Sequence, residues 1–460
     1  MIRMFLTLIL LTGLLGAQQG PVDPWRTAEE ITARVRLPYF PDRSFDVTSF
    51  GAKGDGRTMN SAAFRRAIDS CSRAGGGRVT VPPGEYLTGA IRLRSNVNLS
   101  LAKGAVIRFS TNPSDYLPLV LTRWEGMEVM NYSPLIYAYG DSNIAVTGEG
   151  VLDGQGSTIH WWPWKGNKED GWKEGMPRQK EARARLMEMV EQGVPAAERI
   201  FGDGSYLRPS FFQPYHCRNV AIVGVTLRDS PMWFINPVLC TGVLVERVTV
   251  IGLGPNNDGC NPESSKDVVI RDCLFDTGDD CIAIKSGRNA DGRRINVPSE
   301  NIVVTGCTMK EGHGGVVLGS ELSGGIRNVF VQDCIMSSPH LDRALRFKTN
   351  SVRGGVIENF YARRITVGEV REAVILVDYH YEEGDAGRFD PVMRTIVISD
   401  LTATKGRHAL FVRGYARAPI TGLVLTNCTF DGMEQPDVIE HVQGLRFENV
   451  RRNGRLLSAP

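Results

Sequence analysis

Two adjacent carboxylates, Asp279 and Asp280, stand in the stretch Thr277 to Gly287 (TGDDCIAIKSG), just ahead of a strand-like apolar run from Cys281 to Lys285. Neighbouring side chains of a regular strand point to opposite faces, so a pair acting on one bond has to sit at a bend or a strand entry. Gly278 supplies such a bend. Paired carboxyl groups suit hydrolysis of a glycosidic bond, where one protonates the leaving oxygen and another activates water. A lone Asp-Asp pair reads as readily as an exposed turn; its company here argues for chemistry. Asp258 lies in NNDG (Asn256 to Gly259), His313 in GHG (Gly312 to Gly314), and Arg346 and Lys348 in RFK. From Asp258 the steps to Asp280, His313 and Arg346 are 22, 33 and 33 residues. Arg346 and Lys348 flank Phe347, so on a strand both cations face one side and the ring faces the other. Two such cations can hold a substrate carboxylate, the arginine in bidentate fashion. The chemistry therefore points to an acidic polysaccharide.

The elements that position these residues are short runs of Val, Ile and Leu broken by Gly, Asn and Asp. From about Ile91 onward they recur as NVNLSL, NIAVTG, NVAIVG, DVVIRD, NIVVTG, NVFVQD, TIVISD and GLVLTN, many followed by a second run such as CLF, CTM, CIM or CTF. Two or three short strands per repeat of about 25 to 35 residues are the signature of a solenoid. They predict a right-handed parallel β-helix, in preference to a β-sandwich, whose hairpin turns of the Asn-Gly type are not the dominant connection here. Stacked coils lie about 4.8 Å apart, so matching positions of four or five coils form a line a few sugar units long. Asp258, the Asp279–Asp280 pair, His313 and the Arg346/Lys348 pair fall in successive coils. Cys273, Cys307, Cys334 and Cys428 hold one place in their repeats, which predicts a core-facing cysteine ladder over a metal site.

Helices are expected over Pro24 to Arg36 and over Thr58 to Ser72, the latter covering the open N-terminal end of the solenoid. One interval, residues 157–211, breaks the rhythm and holds Trp161, Trp162, Trp164 and Trp172, four of the seven tryptophans, then a helical stretch from Arg178 to Gln192. Its tryptophans either stack on sugar faces or dock the loop to the solenoid; the sequence supports both. Residues 1–17 carry Arg3, an apolar run and Gly16-Ala17, the order of a secretory signal, and the run is too short for a bilayer span. Residues 18–44 read as a linker with a helix and residues 45–460 as the catalytic domain. Export to the periplasm or medium follows. The net charge of +2 among 460 residues advertises no nucleic-acid partner, and nine cysteines leave at least one unpaired.

FGAKGDG (Phe50 to Gly56), NND, GDD, GHG and RFK, in that order, resemble the polygalacturonase family of glycoside hydrolases, family 28, from about Phe45 onward. Asn257 replaces the usual threonine, and Gly278 is an accepted residue before the pair. The resemblance implies hydrolysis of α-1,4-galacturonosidic bonds in pectin with inversion, without metal or cofactor, by a monomer. It implies Asp280 as general acid, Asp258 and Asp279 as the carboxylates that activate water, and His313 as a residue tuning the acid. Asn256, Arg346, Lys348 and Tyr379 (in VDY) would contact substrate. The insertion and CNPES (Cys260 to Ser264) look more like exo-acting members, with residues 157–211 walling one end of the groove. Two rivals remain: a pectate lyase, which shares fold and substrate but eliminates with the help of calcium, and a non-catalytic carbohydrate-binding β-helix.

Overall fold

The computed structural model describes residues 23–458; the expected signal, residues 1–17, lies outside them. The apolar runs form strands that stack in parallel, repeat upon repeat. Val243 lies beside Val268, then Ile302, Val329, Phe360, Ile396 and Leu423. This is the right-handed parallel β-helix expected from the repeats. One long sheet carries the first two strands of each coil. A second sheet, comprising Ile282–Ile284, Val316–Gly319, Arg343–Lys348, Ala373–Asp378, His408–Arg413 and Val438–Glu440, carries the third.

The residue that opens each run explains why the chain turns where it does. Asn96, Asn143 and Asn219 adopt φ of 64°, 55° and 53°, and Asn301, Asn328 and Asn359 behave alike. Asparagine enters this left-handed region more readily than other side-chain-bearing residues. It also has an amide to stack: Asn143 Nδ2 donates to Asn96 Oδ1 at 3.0 Å and Asn219 to Asn143 at 2.9 Å. A second ladder runs from Asn359 to Asn328, Asn301 and Asp267 at 2.9–3.1 Å.

All nine cysteines are buried free thiols, eight of them in the coils and Cys71 on the capping helix. Cys334 lies beside Ile365, and Ile365 beside Leu401. The slot is thus an aliphatic one that cysteine shares, as expected of a core ladder. Helix α1 (Pro24–Arg34), capped by Asp23, lies on the outside of the long sheet, where Ala28 and Ile31 cover outward-facing Ala145, Ala221 and Leu244. Helix α2 (Ser61–Arg73) closes the N-terminal end with Phe64, Ala67, Ile68 and Cys71 buried. Burying Phe64 and Ile68 contributes about 1.5–3 kcal/mol each.

The insertion folds back onto the solenoid. Trp161 is buried edge-on against Trp164 and Tyr116, and Trp162 Nε1 donates to the Ser230 carbonyl at 2.9 Å. These tryptophans dock the loop. Helix α3 (Lys180–Glu191) sets Leu186 and Val190 against Trp124, Met127 and Val129 of an antiparallel hairpin, Val120–Trp124 with Met127–Asn131. The hairpin is a departure from the all-parallel expectation. Its turn is Glu125-Gly126, with φ of 44° and 81°, and two successive positive φ values suit a tight hairpin turn. None of the described helices is long and apolar enough to cross a membrane.

Candidate active site

A cleft of about 570 Å³ lies over the second sheet. Asp258, Asp279, Asp280 and His313 line it, as do Asn256, Arg346 and Lys348. Sequence spacing therefore brings seven of the eight expected residues together. Tyr379 is the exception. It is fully buried in the apolar interior, while Tyr381, two residues on, faces the cleft. The strand Ala373–Asp378 ends just before this tyrosine, and the ring turns inward against Tyr415. The tyrosine that lines the cleft is therefore Tyr381, and the expected Tyr379 lies in the core instead.

Local backbone explains the motifs. Gly278 gives close approach rather than a left-handed bend: a Cβ there would stand 2.4 Å from the Gly254 carbonyl oxygen and 2.5 Å from the Leu253 carbonyl carbon. Asp279 is thereby held against the preceding coil. Gly312, with φ of 149°, is similar, because a Cβ would meet the Asp279 carbonyl oxygen at 2.6 Å. That closeness lets the His313 N–H donate to the same carbonyl at 3.1 Å, while its Nδ1 bonds Asp279 Oδ1 at 3.0 Å. The RFK alternation holds, with Phe347 in the core edge-on to Phe360 and both cations in the cleft.

The three carboxyl groups are not equivalent. Asp280 accepts from Arg346 Nη1 at 3.1 Å on Oδ1 and from Lys348 Nζ at 2.7 Å on Oδ2. Both oxygens are engaged by cations, and its side chain is 1% exposed. Asp258, 3% exposed, accepts from Asn261 Nδ2 at 2.9 Å and faces Lys285 Nζ at 3.5 Å. Burial, together with the charge of Asp279, pushes its carboxyl up to about 8. Asp279 is 17% exposed. Burial alone would raise its pKa, but the His313 hydrogen bond and charge, with Lys348 and Lys285, outweigh burial and hold it well below the usual carboxylate range. Bonding to Asp279 raises His313 against the opposing effect of its own partial burial.

Several cleft residues carry no motif. Lys285 bonds Glu321 at 2.9 Å and lies over the Trp233 ring at 4.6 Å. Its signal was an ionisable residue ending the strand run of the central stretch, in line with Lys348 through Gly319. Glu125, at the hairpin tip, pairs with Arg183 of α3 at 2.6 Å and with Arg288 at 3.3 Å, and Arg288 reaches Glu382 at 3.3 Å. No sequence spacing links these residues, which come from separate excursions. From the insertion, Lys165, Gly166, Asn167 and Arg178 to Lys180 also line the cleft.

A deep acidic cluster ringed by cations, on a parallel β-helix, is the site of a polysaccharide-active hydrolase. The chain matches the model of glycosyl hydrolases family 28 over residues 202–435, which contain every motif residue of the cleft. Residues 44–107 match a rhamnogalacturonase A/epimerase, pectate lyase-like model. It is 47% identical to a hyperthermoactive exopolygalacturonase from Thermotoga maritima, covering 94% of this chain and 97% of that one with a TM-score of 0.92. It is 28% identical to a probable polygalacturonase of Vitis vinifera, over 84% of this chain and 74% of that protein. It is 26% identical to an exo-poly-α-D-galacturonosidase of Dickeya chrysanthemi, over 88% and 70%. The chain belongs to glycosyl hydrolases family 28.

Proposed function

We propose that the protein hydrolyses α-1,4-linked galacturonan, releasing single galacturonate units from the non-reducing end with inversion, as an exported monomer. The observation that carries this reading is the acidic cleft in which Asp258, Asp279 and Asp280 lie beside a wall made by the insertion and the hairpin tip. An open groove on a β-helix admits a long chain anywhere. A wall linked by Glu125, Arg183 and Arg288 favours binding by a chain end. The exo-acting relatives from Thermotoga maritima and Dickeya chrysanthemi support the same substrate and mode.

For the roles, the contacts favour a different division from the one implied by family resemblance. Asp280 has no oxygen free of a cationic donor, so it suits water activation better than proton delivery. Asp258 lies equally deep, but it keeps its own proton up to about pH 8, so it orients the water by hydrogen bonding and leaves the water's proton to Asp280. Asp279 is the most exposed of the three and is backed by His313, so it suits the donor role. In the free cleft the proton of this pair rests on His313 Nδ1. His313 first passes its proton to Asp279, which delivers it to the leaving oxygen as the glycosidic bond breaks, leaving His313 neutral and Asp279 ionised, while the attacking water loses one to Asp280. Arg346 and Lys348 act first on Asp280, and Tyr381, with its ring 5.1 Å from the Lys348 ammonium, borders the sugar.

Chromatography of the products from a defined galacturonan oligomer tests the reading. Monogalacturonate as the early product, with slow loss of viscosity, is expected. An early ladder of oligomers would refute the wall, ultraviolet-absorbing unsaturated ends would favour a lyase, and binding without new reducing ends would favour a non-catalytic role. Proton NMR of the first-released anomer tests inversion.

A further inference from the structure

The two motif cations expected to clamp a uronate, Arg346 and Lys348, both donate to Asp280. Arg183 and Arg288 are engaged by Glu125, and Lys285 by Glu321 and Asp258. Lys165 differs from these. It projects from the insertion into the cleft, and its Nζ donates to the amide oxygen of Asn256 at 2.8 Å, its one hydrogen bond among the described residues, without forming an ion pair there. Buried Arg208 donates to the same oxygen at 2.7 Å and otherwise to Gln179 and to the carbonyls of Pro231 and Pro255. Two cations thus meet on one neutral amide, with no carboxylate of the described residues bonded to either. Burial lowers the Lys165 pKa and Arg208 adds to this, with Glu125 opposing, as expected of an ammonium that lacks a counter-ion. An ammonium has three donors, and one is used here.

We propose that Lys165 is the specificity-determining cation of the cleft and takes the carboxylate of the terminal uronate of the substrate. A carboxylate placed there neutralises a positive spot that the protein leaves uncompensated, and it does so beside Asn256, whose Nδ2 lies 3.4 Å from Asp279. The insertion then has two functions, closing the cleft and selecting an acidic end group over a neutral one. The inference rests on the galacturonan reading above.

The test measures equilibrium binding of galacturonate and of galactose to the parent and to Lys165→Met. It adds kcat and KM for digalacturonate and for the same disaccharide with its terminal carboxyl methyl-esterified. Loss of a charge-assisted contact weakens galacturonate binding and raises KM for the acid by about 10- to 100-fold, with galactose binding and ester turnover changed by less than about twofold. Lys165→Arg recovers most of the loss. Equal falls in kcat on acid and ester would mean that Lys165 only holds Asn256, and this would overturn the proposal, as would galacturonate binding unaltered in Lys165→Met. Should Lys165→Met lose galacturonate binding while the parent releases no sugar from either disaccharide, the hydrolytic reading fails and the anion site stands.

Discussion

Replacing Asp258 with asparagine separates the carboxyl's cost to stability from its use in catalysis. Burial and the charge of Asp279 push this group up to about 8 from an ordinary 3.8. Below pH 3.8 it is protonated in both folded and unfolded chains. Between 3.8 and about 8 the unfolded chain releases the proton and the folded chain keeps it, so the stability linked to this raised pKa is full at low pH and is lost as pH rises through the folded value. Above about 8 the folded protein carries a buried carboxylate. A gap of about 4 pKa units, at about 1.36 kcal/mol each, sets a ceiling of roughly 5 kcal/mol. The attraction to Lys285 is already within that figure, because it is one of the causes of the value. An amide resembles the protonated acid, so Asp258→Asn is expected to gain a few kcal/mol over the parent at pH 9 and almost nothing at pH 4, while turnover falls by about 10²- to 10⁴-fold. Denaturant unfolding of both proteins at pH 4, 6, 8 and 9 measures the gain. An advantage that does not grow with pH, or a parent that gains on the variant as pH rises, would refute the placement of the proton on Asp258.

Asp279→Asn and Asp280→Asn should each lower kcat on galacturonan oligomers by about 10²- to 10⁴-fold. Only the first should recover on an aryl galacturonide, whose leaving group needs no proton; recovery of Asp280→Asn instead would restore the acid role to Asp280. Since Asp279 raises the His313 pKa, His313→Gln should move the alkaline limb of kcat/KM to lower pH, and an unmoved limb would exclude His313 as proton source. Glu125→Gln combined with Arg183→Ala removes the hairpin-to-helix link and should raise the share of di- and trigalacturonate among early products, read by chromatography. Tyr381→Phe should lower kcat/KM. Tyr379→Phe should leave it unchanged and cost less than about 1 kcal/mol, because the buried Tyr379 hydroxyl makes no hydrogen bond of normal geometry among the described residues.

The repeat made the fold legible. Each NxxV-type run begins with a residue able to turn at positive φ and continues with side chains that fill a coil, so strand, corner and register are written locally. The site was legible for a related reason: residues one coil apart in sequence are neighbours in space, which carries Asp258, Asp280, His313 and Arg346 to one cleft. The strand-end residue Tyr379, expected at the cleft, lies in the core because side-chain direction beyond the last paired residue follows packing, here against Tyr415, instead of alternation. The hairpin Val120–Asn131 and the Glu125–Arg183–Arg288 wall follow no period. Their partners are 58 and 163 residues apart, and only the folded chain brings them together. The roles of Arg346 and Lys348 also needed three dimensions, since the sequence shows two cations but not that Asp280 accepts from both.

The asparagine ladders have a consequence for how such a molecule can change. Corner amides and backbone pairing fix the rise from coil to coil at about 4.8 Å, whatever the length of chain between corners. Residues 157–211 leave the stack and return without altering the pairing of Ser142–Gly148 with Arg218–Val223 on either side. Pitch and ornament are therefore inherited separately. Loops can lengthen, shorten or be exchanged to reshape the mouth of the cleft, while the distance between successive rows of catalytic side chains stays constant.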